Sequence, residues 1–454
     1  MALRILHFAD IHARDNDINE IAKCLDAVFQ AAMIDIPDLI VCAGDVFDSQ
    51  NVKLDSKSAK LIFSFFSQLA DIAPVAVVIG TPSHDGTAAE VLRHIKAKYQ
   101  VWVSPRPEQF LLVISAGQGR MFIEPRMLVK DDSVLAVITM VPTPTKQFFN
   151  SDSDIKGSDN EIAQAMSAMF AGFGAQASEF HGVPHIVVGH FAMGGAFISE
   201  TQQLNGLDIE ISREQIGYAN ADLSILGHIH LHQQIGHNIY YSGSIFRKDF
   251  GELDDKGFYI HEIDDTGGTS SRFMHTPTRK LVKILGDFTS DRNVETAGAF
   301  VLAQADQYGI YGAHVRVELK CYQDEAVKIS KTEIEAILAG AAEIDIRIIR
   351  IPRENVRSAH ILKLFTLREK LGEMAALKAE TVPDSILAKA DVLENMTPDQ
   401  VMAASISGLN ARGIDNGSPG GDMTTTCTYN VGKKTIQVLD LNSMWPIQEV
   451  EIAR

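Results

Sequence analysis

The sequence predicts an α/β protein, and two observations carry this prediction. Short apolar runs rich in Val and Ile recur along the first half of the chain, as at residues 38–43 and 74–79, and such runs are typical of buried strands. Between them, residues 18–33 and 56–69 repeat their apolar positions with the period of a helix. Strand patterns that alternate with helical patterns in this way indicate α/β layering.

At 454 residues the chain is too long for one typical domain, and its composition divides it into three predicted parts. Residues 1–275 hold the alternating pattern, residues 276–352 form a small α/β module, and residues 353–454 form a helix-rich extension. In the last two parts we expect strands at 281–284, 314–320 and 345–351, helices at 293–308 and 331–342, amphipathic helix within 362–396, a flexible loop at 405–423, and a hairpin of 425–431 and 435–441.

Composition sets limits on the setting of the protein. Hydrophobic residues make up 46% of the chain, which supports a buried core, and no apolar run is long enough for a membrane span. The first residues lead directly into a strand without a signal peptide, and the four cysteines lack disulfide or metal-site spacing, so we expect a cytoplasmic protein. The net charge of −17 indicates that the first domain alone does not bind duplex nucleic acid tightly.

Five separate segments place His or Asp at the end of an apolar run. These residues are Asp10 with His12, Asp45 after Gly44, His84 with Asp85, His190 after Gly189, and His228 with His230 after Gly227. Collected at one edge of a sheet, such carboxylates and imidazoles suit divalent transition metals, and an Asp between two groups suits a pair of ions. The alternative, a set of core histidines and strand-end caps, requires several coincidences. His232 is left open between a supporting position and the substrate edge.

The order of these motifs resembles that of the calcineurin-like metallophosphoesterases. A narrower resemblance, to SbcD-type DNA-repair nucleases, lies in three segments after the last histidines: Tyr241-Ser242-Gly243-Ser244-Ile245, Asp249-Phe250-Gly251-Glu252 and Lys256-Gly257-Phe258. Residues 189–196 and the pair Ser199-Glu200 are similar to the same family. The resemblance covers residues 1–275 and implies a two-sheet sandwich flanked by helices, with a small α/β cap domain beside the active site.

The resemblance also implies roles for individual residues. Asp10, His12, Asp45 and His230 would hold one ion, His190 and His228 would hold a second, and Asp45 would be shared. The implied cofactor is Mn²⁺, two per chain, with Mg²⁺ as an alternative. His84, oriented by Asp85, would be the general acid. Substrate contacts are expected from His232, Ser244 and Arg247.

One motif departs from the family pattern. The family has Gly-Asn-His-Asp, whose Asn oxygen ligates the second metal, whereas this chain has Gly80-Thr81-Pro82-Ser83-His84-Asp85. Ser83 stands where the Asn is expected, and a hydroxyl is a poorer neutral ligand than an amide oxygen. Ser83 is therefore a candidate metal ligand, with support of the loop as the alternative, and the second metal is expected to bind more weakly.

Three functions are compatible with these motifs. The first is a manganese-dependent DNA nuclease, an exonuclease with single-strand endonuclease activity as a further option, that processes DNA ends in repair or recombination with an SbcC-type SMC-like ATPase docked on the C-terminal helices. The second is another calcineurin-like phosphoesterase, acting on phosphoproteins or cyclic nucleotides. The third is a non-catalytic DNA-end tether. We also expect a homodimer with a seam of Leu61, Phe65 and Leu69, unless that helix only covers the sheet.

Overall fold

A computed structural model describes most of the chain. The described residues are 2–145, 159–199, 202, 209–290, 292–353, 361–378, 380–398, 400–401, 426–431 and 434–439. The predicted loop at 405–423 lies outside them. The chain divides into two compact units, Met1–Pro352 and Arg353–Arg454.

Two large sheets form most of the first unit. The first has six strands in the order β13 (Thr269–His275), β12 (Gly257–Ile263), β1 (Leu3–Phe8), β2 (Leu39–Cys42), β3 (Val75–Val78) and β4 (Val101–Ser104). The second has seven in the order β10 (Gln233–Ile235), β11 (Ile239–Tyr241), β9 (Leu223–Gly227), β8 (His185–His190), β7 (Ser133–Val141), β5 (Glu108–Ser115) and β6 (Gly119–Ile123). Strands β1 to β4 pair in parallel, as do β7, β8 and β9.

The two sheets pack face to face, and helices cover their outer faces. Side chains such as Ile5, Val41, Ile138 and Val188 from both sheets share one buried cluster between the layers. Helices α1 (Ile18–Asp35) and α2 (Lys57–Ile72) cover the first sheet, and α3 (Asp159–Ala177) and α4 (Arg213–Gly217) cover the second. The central strands are buried on both faces, which explains their continuous apolar runs. The predicted α/β sandwich flanked by helices is confirmed.

A small α/β layer completes the first unit. Its parallel sheet has the order β14 (Leu281–Asp287), β15 (His314–Tyr322) and β16 (Glu343–Ile351), with α5 (Ala297–Tyr308) and α6 (Lys331–Ile337) on one face. Burial alternates along β15, as expected for a strand with one covered face. Helix α6 ends five residues before the predicted position 342, because the chain turns at 338–342 to enter β16. The Arg316 guanidinium lies 4.1 Å from the ring centroid of Phe250 and so joins this layer to the sandwich.

The described residues of the second unit include two longer α-helices and a hairpin. These are α7 (Leu367–Lys378), α8 (Asp384–Glu394), β17 (Thr426–Val431) and β18 (Lys434–Leu439). Short 3₁₀ helices within the described residues lie at Asp15–Asp17, Ala89–His94, Pro125–Met127, Val294–Thr296, Ala326–Lys328 and Ile361–Lys363. Among the helices described here, none combines the length and the apolar character that crossing a bilayer requires.

The structure gives α2 a different role from the predicted dimer seam. Phe65 is 4% exposed and Leu69 is fully buried, and both belong to the core between α1, α2 and the first sheet. The Phe65 ring packs edge-on against Phe8 of β1, with centroids 5.7 Å apart. Only Leu61 is partly accessible. The face of α2 that carries Phe65 and Leu69 therefore covers the sheet. A second copy of the chain cannot bind this face without disrupting the core.

This arrangement predicts that Phe65→Ala acts on stability. Loss of a buried aromatic ring leaves a cavity, so the free energy of unfolding should fall by about 3–5 kcal/mol. The exposed neighbour Gln68, changed to Ala, is the matched control and should have little effect. Urea unfolding and sedimentation velocity on both variants check this. Unchanged stability together with dissociation of a dimer would instead support the seam.

Candidate metal centre

The strand ends bring six predicted ligands to one place. Asp10 and His12 follow β1, and Asp45 follows the neighbouring parallel strand β2. From the second sheet, His190 ends β8, and His228 and His230 follow β9. All six side chains are buried, with exposed fractions of 8% or less. The site therefore lies where the ends of two packed sheets meet.

The ligand atoms form two groups, and the carboxylate of one group also faces the other. Asp10, His12 and His230 form one group and Asp45, His190 and His228 form the other, with the ligand atoms within each group no more than 4.8 Å apart. Asp45 Oδ2 lies 3.3 Å from His190 Nε2 and 3.7 Å from His12 Nε2. Asp45 thus faces both groups, which is the position required of a carboxylate shared by two cations.

The backbone is strained at the same residues. Positive φ angles occur at Asp10 (52°), His12 (44°), Asp45 (51°) and His228 (89°), where side chains other than Gly are disfavoured. Such conformations cost about 1–3 kcal/mol each and persist only where the surroundings enforce them. Here they turn each side chain inward just beyond its strand. A Cβ on the adjacent Gly44 would lie 2.3 Å from His190 Nδ1, so only Gly permits this approach.

The electrostatics of the site fit bound divalent cations. Burial raises the pKa of Asp10 and lowers the pKa of His228 to about 3, so both groups resist their charged forms. Burial opposes charge at Asp45 and His190 too, but their mutual attraction outweighs it, lowering the pKa of Asp45 and raising that of His190 to about 9. A positive charge is therefore favoured beside the Asp45 carboxylate, and a bound cation could supply it.

The geometry of the histidines also fits a site for divalent cations. The Nε2 atoms of His12 and His230 face each other at 3.0 Å, and within the described structure His12 Nδ1 is buried without a hydrogen-bond partner. Burial holds the pKa of His12 well below its usual range, so its ring is neutral and able to donate a lone pair. Two imidazoles that converge beside carboxylates are suitable ligands for a transition metal.

His84 lies beside this centre and is held by the backbone. Its Nδ1 donates to the carbonyl of Asp48 at 2.9 Å, and its ring stands edge-on to His12 with centroids 4.7 Å apart. The Nδ1 contact leaves Nε2 as the atom that can exchange a proton. His84 also groups with His12 and Asp45 as a possible ligand set, so its distance alone does not separate an acid from a ligand.

Asp85 does not have the orienting role that the sequence suggested. Its carboxylate accepts from the backbone N–H groups of Val46 (2.8 Å), Phe47 (3.1 Å) and Gly80 (2.9 Å). Burial, followed by repulsion from Asp45, raises its pKa to about 7. Asp85 therefore ties the loop after β2, which carries Asp45, to the loop after β3.

The inserted segment places a different hydroxyl at the centre from the one predicted. Ser83 is exposed, and its carbonyl accepts from the N–H of Gln50. Thr81 instead directs its Oγ1 to Asp45 Oδ2 at 3.2 Å and lies 3.5 Å from His190 Nε2. The two inserted residues lengthen the turn, so the hydroxyl one residue after Gly80 reaches the site. Thr81 directly follows Gly80, as the Asn follows the Gly in the family pattern, and this was the feature of the sequence that could have identified it.

Sequence reasoning also missed a buried ion pair behind His230. Glu252 Oε1 lies 2.5 Å from His230 Nδ1, and Glu252 Oε2 lies 3.2 Å from the ammonium of Lys256, whose side chain is fully buried. Lys256 also donates to the His230 carbonyl at 3.0 Å. Burial opposes the charge of Glu252, but its bond to His230 lowers its pKa to about 2. A carboxylate behind a ligating His fixes its tautomer and orientation. Both residues lie in the segments that carry the family resemblance.

The three predicted substrate contacts have structural partners. Ser244 is fully buried and donates to the Phe246 carbonyl at 3.1 Å, so it cannot meet a substrate. Arg247 donates to three backbone carbonyls, those of Leu253, Asp254 and Arg279, and thereby fastens the loop before β12. His232 is half-buried, stacks on Phe273 at 4.0 Å and bonds to the Asp255 carbonyl. These contacts assign Ser244 and Arg247 to the scaffold of the site, whereas His232 is partly exposed at its edge.

The chain belongs to the calcineurin-like phosphoesterase family, whose profile matches residues 3–232. It is therefore a metal-dependent phosphodiesterase, as the sequence predicted. The family uses divalent metals, in agreement with the clustered ligands.

Curated relatives define the resemblance further. The chain is 24% identical over 374 residues to the SbcD subunit of the nuclease SbcCD from Escherichia coli strain K12, an alignment that covers 78% of this chain and 86% of that protein. It is 23% identical over 300 residues to the corresponding SbcCD subunit of Staphylococcus saprophyticus, covering 63% and 72%. The expected likeness to SbcD-type proteins is thus confirmed. A solved glutamine-dependent NAD+ synthetase from Acinetobacter baumannii aligns at 12% identity over 91% of this chain and 73% of that one, with a TM-score of 0.22, too low to bear on the fold.

The contacts of Asp85 predict that Asp85→Asn destabilises the protein. One amide oxygen cannot replace two carboxylate oxygens, and the amide NH₂ would face backbone donors, so the free energy of unfolding should fall by about 1–3 kcal/mol. His84→Ala, which leaves these bonds intact, is the control and should retain near-normal stability. Thermal unfolding measures both. If Asp85 instead orients His84, the two variants will share one kinetic defect, and Asp85→Asn will unfold at the normal temperature.

Proposed function

We propose that this protein is a manganese-dependent DNA nuclease that processes DNA ends together with an SbcC-type SMC-like ATPase. The observation that carries the proposal is the shared position of Asp45 between two ligand groups, with the His84 imidazole beside them. The match to curated SbcD proteins over most of both chains supports the choice of substrate and partner. The residues fit Mn²⁺ or Mg²⁺, and a pair of such ions would polarise a phosphate and lower the pKa of a bound water.

His84 supplies the acid in this proposal. Its Nδ1 is occupied by the Asp48 carbonyl, so the proton to be transferred sits on Nε2. The 3′ oxygen of a DNA strand is a strongly basic leaving group and benefits from protonation as its bond to phosphorus breaks. A nitrophenolate leaves without that help. The need for His84 should therefore depend on the leaving group.

Two cations beside the centre are candidates for binding the DNA backbone. The Lys248 ammonium lies 3.0 Å from Asp48 Oδ1, and Arg14 lies 3.6 Å from Asp48 Oδ2. Asp48 Oδ1 is itself 3.6 Å from His12 Nδ1, which places both cations at the edge of the first ligand group. Because the chain as a whole is acidic, these local charges would contribute directly to attracting phosphates.

The remaining parts of the chain have proposed roles as well. The layer built on residues 276–352 would be a cap that contacts DNA, and residues 353–454 would dock on the ATPase. Exposed apolar side chains in the second unit support the docking: Phe365 is 93% exposed, Val392 58% and Met374 46%. A homodimer and a cytoplasmic location remain predictions, and the dimer would need a surface other than the buried face of α2.

The role of His84 predicts a split between substrates. With Mn²⁺, His84→Ala should lose about 10²–10⁴-fold in the rate of digestion of linear DNA, the usual contribution of a general acid. Hydrolysis of bis-p-nitrophenyl phosphate should fall far less. Mn²⁺ titration by calorimetry should still find two ions.

The controls for His84→Ala are wild-type protein with chelator and Asp45→Ala, both expected to be inactive on either substrate. Equal losses on the two substrates together with loss of one Mn²⁺ would make His84 a ligand rather than an acid. Wild-type protein that hydrolyses the small diester but leaves DNA intact, with and without the ATPase, would overturn the nuclease assignment.

The position of Lys248 predicts a salt-dependent effect. Lys248→Gln removes one charge that would neutralise a DNA phosphate, so the slope of log affinity against log salt concentration should decrease in magnitude by about 1. Lys23→Gln on α1, which removes a cation paired with Glu20, is the charge-matched control and should leave the slope unchanged. Fluorescence anisotropy with labelled DNA at several salt concentrations measures both slopes. Equal slopes for Lys248→Gln and wild type would remove Lys248 from the DNA contact.

A further inference from the structure

We infer that the hydroxyl of Thr81 is the neutral oxygen ligand of the second cation site, the one formed by Asp45, His190 and His228. This inference rests on the two-cation centre of the proposed function but not on the identity of the substrate. The three residues alone supply one carboxylate and two imidazoles. Mn²⁺ and Mg²⁺ favour more ligands than three and accept oxygen donors, so a further oxygen at this site has a clear use.

The geometry selects Thr81 for this role. Its Oγ1 lies 3.2 Å from Asp45 Oδ2 and 3.5 Å from His190 Nε2, the two atoms that face each other at 3.3 Å. These three atoms form a compact triangle of electron-pair donors. A cation that binds Asp45 and His190 together therefore meets the Thr81 hydroxyl, which can turn a lone pair toward it.

Thr81 is held in this place by the backbone. Its N–H donates to Asp45 Oδ1 at 2.6 Å, and its carbonyl accepts from the N–H groups of His84 (2.9 Å) and Asp85 (3.0 Å). A Cβ on the preceding Gly80 would lie 2.2 Å from Asp45 Oδ1, so a larger residue there would push the turn away. The β-branched side chain of Thr further restricts its rotamer. The hydroxyl is therefore positioned before any cation arrives.

Ser83 is the competing hydroxyl, and its surroundings argue against it. It is exposed, whereas Thr81 is half-buried against the buried carboxylate of Asp45. The Ser83 carbonyl accepts from the N–H of Gln50, which is not one of the ligand residues. The two residues thus provide a matched pair of hydroxyls in one turn, of which a single one contacts the centre.

The inference predicts two distinguishable binding steps. The first group has two His and one Asp of its own together with Asp45, whereas the second depends on an alcohol oxygen, which is a weak donor. Full-length protein stripped of metal and titrated with Mn²⁺ alone in a calorimeter should bind one ion tightly and a second more weakly. Electron paramagnetic resonance should show the spin-coupled pair only as the second step fills.

Three variants test the ligand. Thr81→Val keeps the shape and removes the oxygen, so the second step should weaken by about 10–100-fold, the loss usual when the support of a metal site is removed. Thr81→Ser restores the oxygen and should return the second step to within a few-fold of wild type. Ser83→Ala is the control and should bind both ions normally. The first step should be unchanged in all three variants.

Each outcome decides the inference. Normal binding of both ions by Thr81→Val overturns it, and weakening by Ser83→Ala alone assigns the role to Ser83. If Thr81→Val loses both steps or unfolds, Thr81→Ala and Thr81→Ser replace it, and the inference stands only if Ser keeps the second step and Ala loses it. These Mn²⁺ titrations contain no DNA, so they test the ligand independently of the substrate. If Thr81→Val weakens the second binding step but the wild-type protein cannot digest DNA, the ligand assignment stands and only the proposed nuclease function is overturned.

Discussion

The position of the Asp45 carboxylate is the constraint on which the rest of the centre depends. Asp45 must face ligands from both sheets, and it does so from a left-handed backbone with φ of 51°. Thr81 fixes one of its oxygens, and His190 approaches the other. Asp85 fastens the two residues after Asp45, so the strained turn cannot relax. Buried hydrogen bonds thus hold a conformation that the local chain would not choose by itself.

A second buried carboxylate, Glu252, supports a ligand of the centre in a similar way. Glu252 is hydrogen-bonded to the His230 ring and forms an ion pair with Lys256, and the Lys256 ammonium donates to the His230 carbonyl. The histidine is therefore held at both its ring and its backbone. A buried charge without a partner would be costly, and here each charge has one. Asp85 and Glu252 therefore have comparable roles. Neither belongs to the two ligand groups, but Asp85 positions Asp45 and Glu252 positions His230.

Sequence predicted the ligands better than their supports, and the reason is local geometry. Asp10, His12, Asp45 and His190 each lie at the end of an apolar strand, a pattern readable from a few neighbouring residues, and the structure brings them together. Support by Glu252 depends on contact with His230, 22 positions earlier, which no local pattern encodes. The two residues inserted before His84 change the path of the turn. Matching the family's Asn to the residue just before His84 gives Ser83, whereas matching it to the residue just after Gly80 gives Thr81. Helix α2 was ambiguous because apolar residues on two faces do not reveal which face the sheet covers.

The ligand set also explains how the centre is tied to the fold. Asp10, His12 and Asp45 belong to the first sheet, whereas His190, His228 and His230 belong to the second. Cations bound by both sets would therefore cross-link the two layers of the sandwich at one edge. A cation bound here would also compete with the pairing of Asp45 and His190, which raises the pKa of His190. Metal affinity, proton release and the packing of the sheets would thus be coupled through the same few side chains.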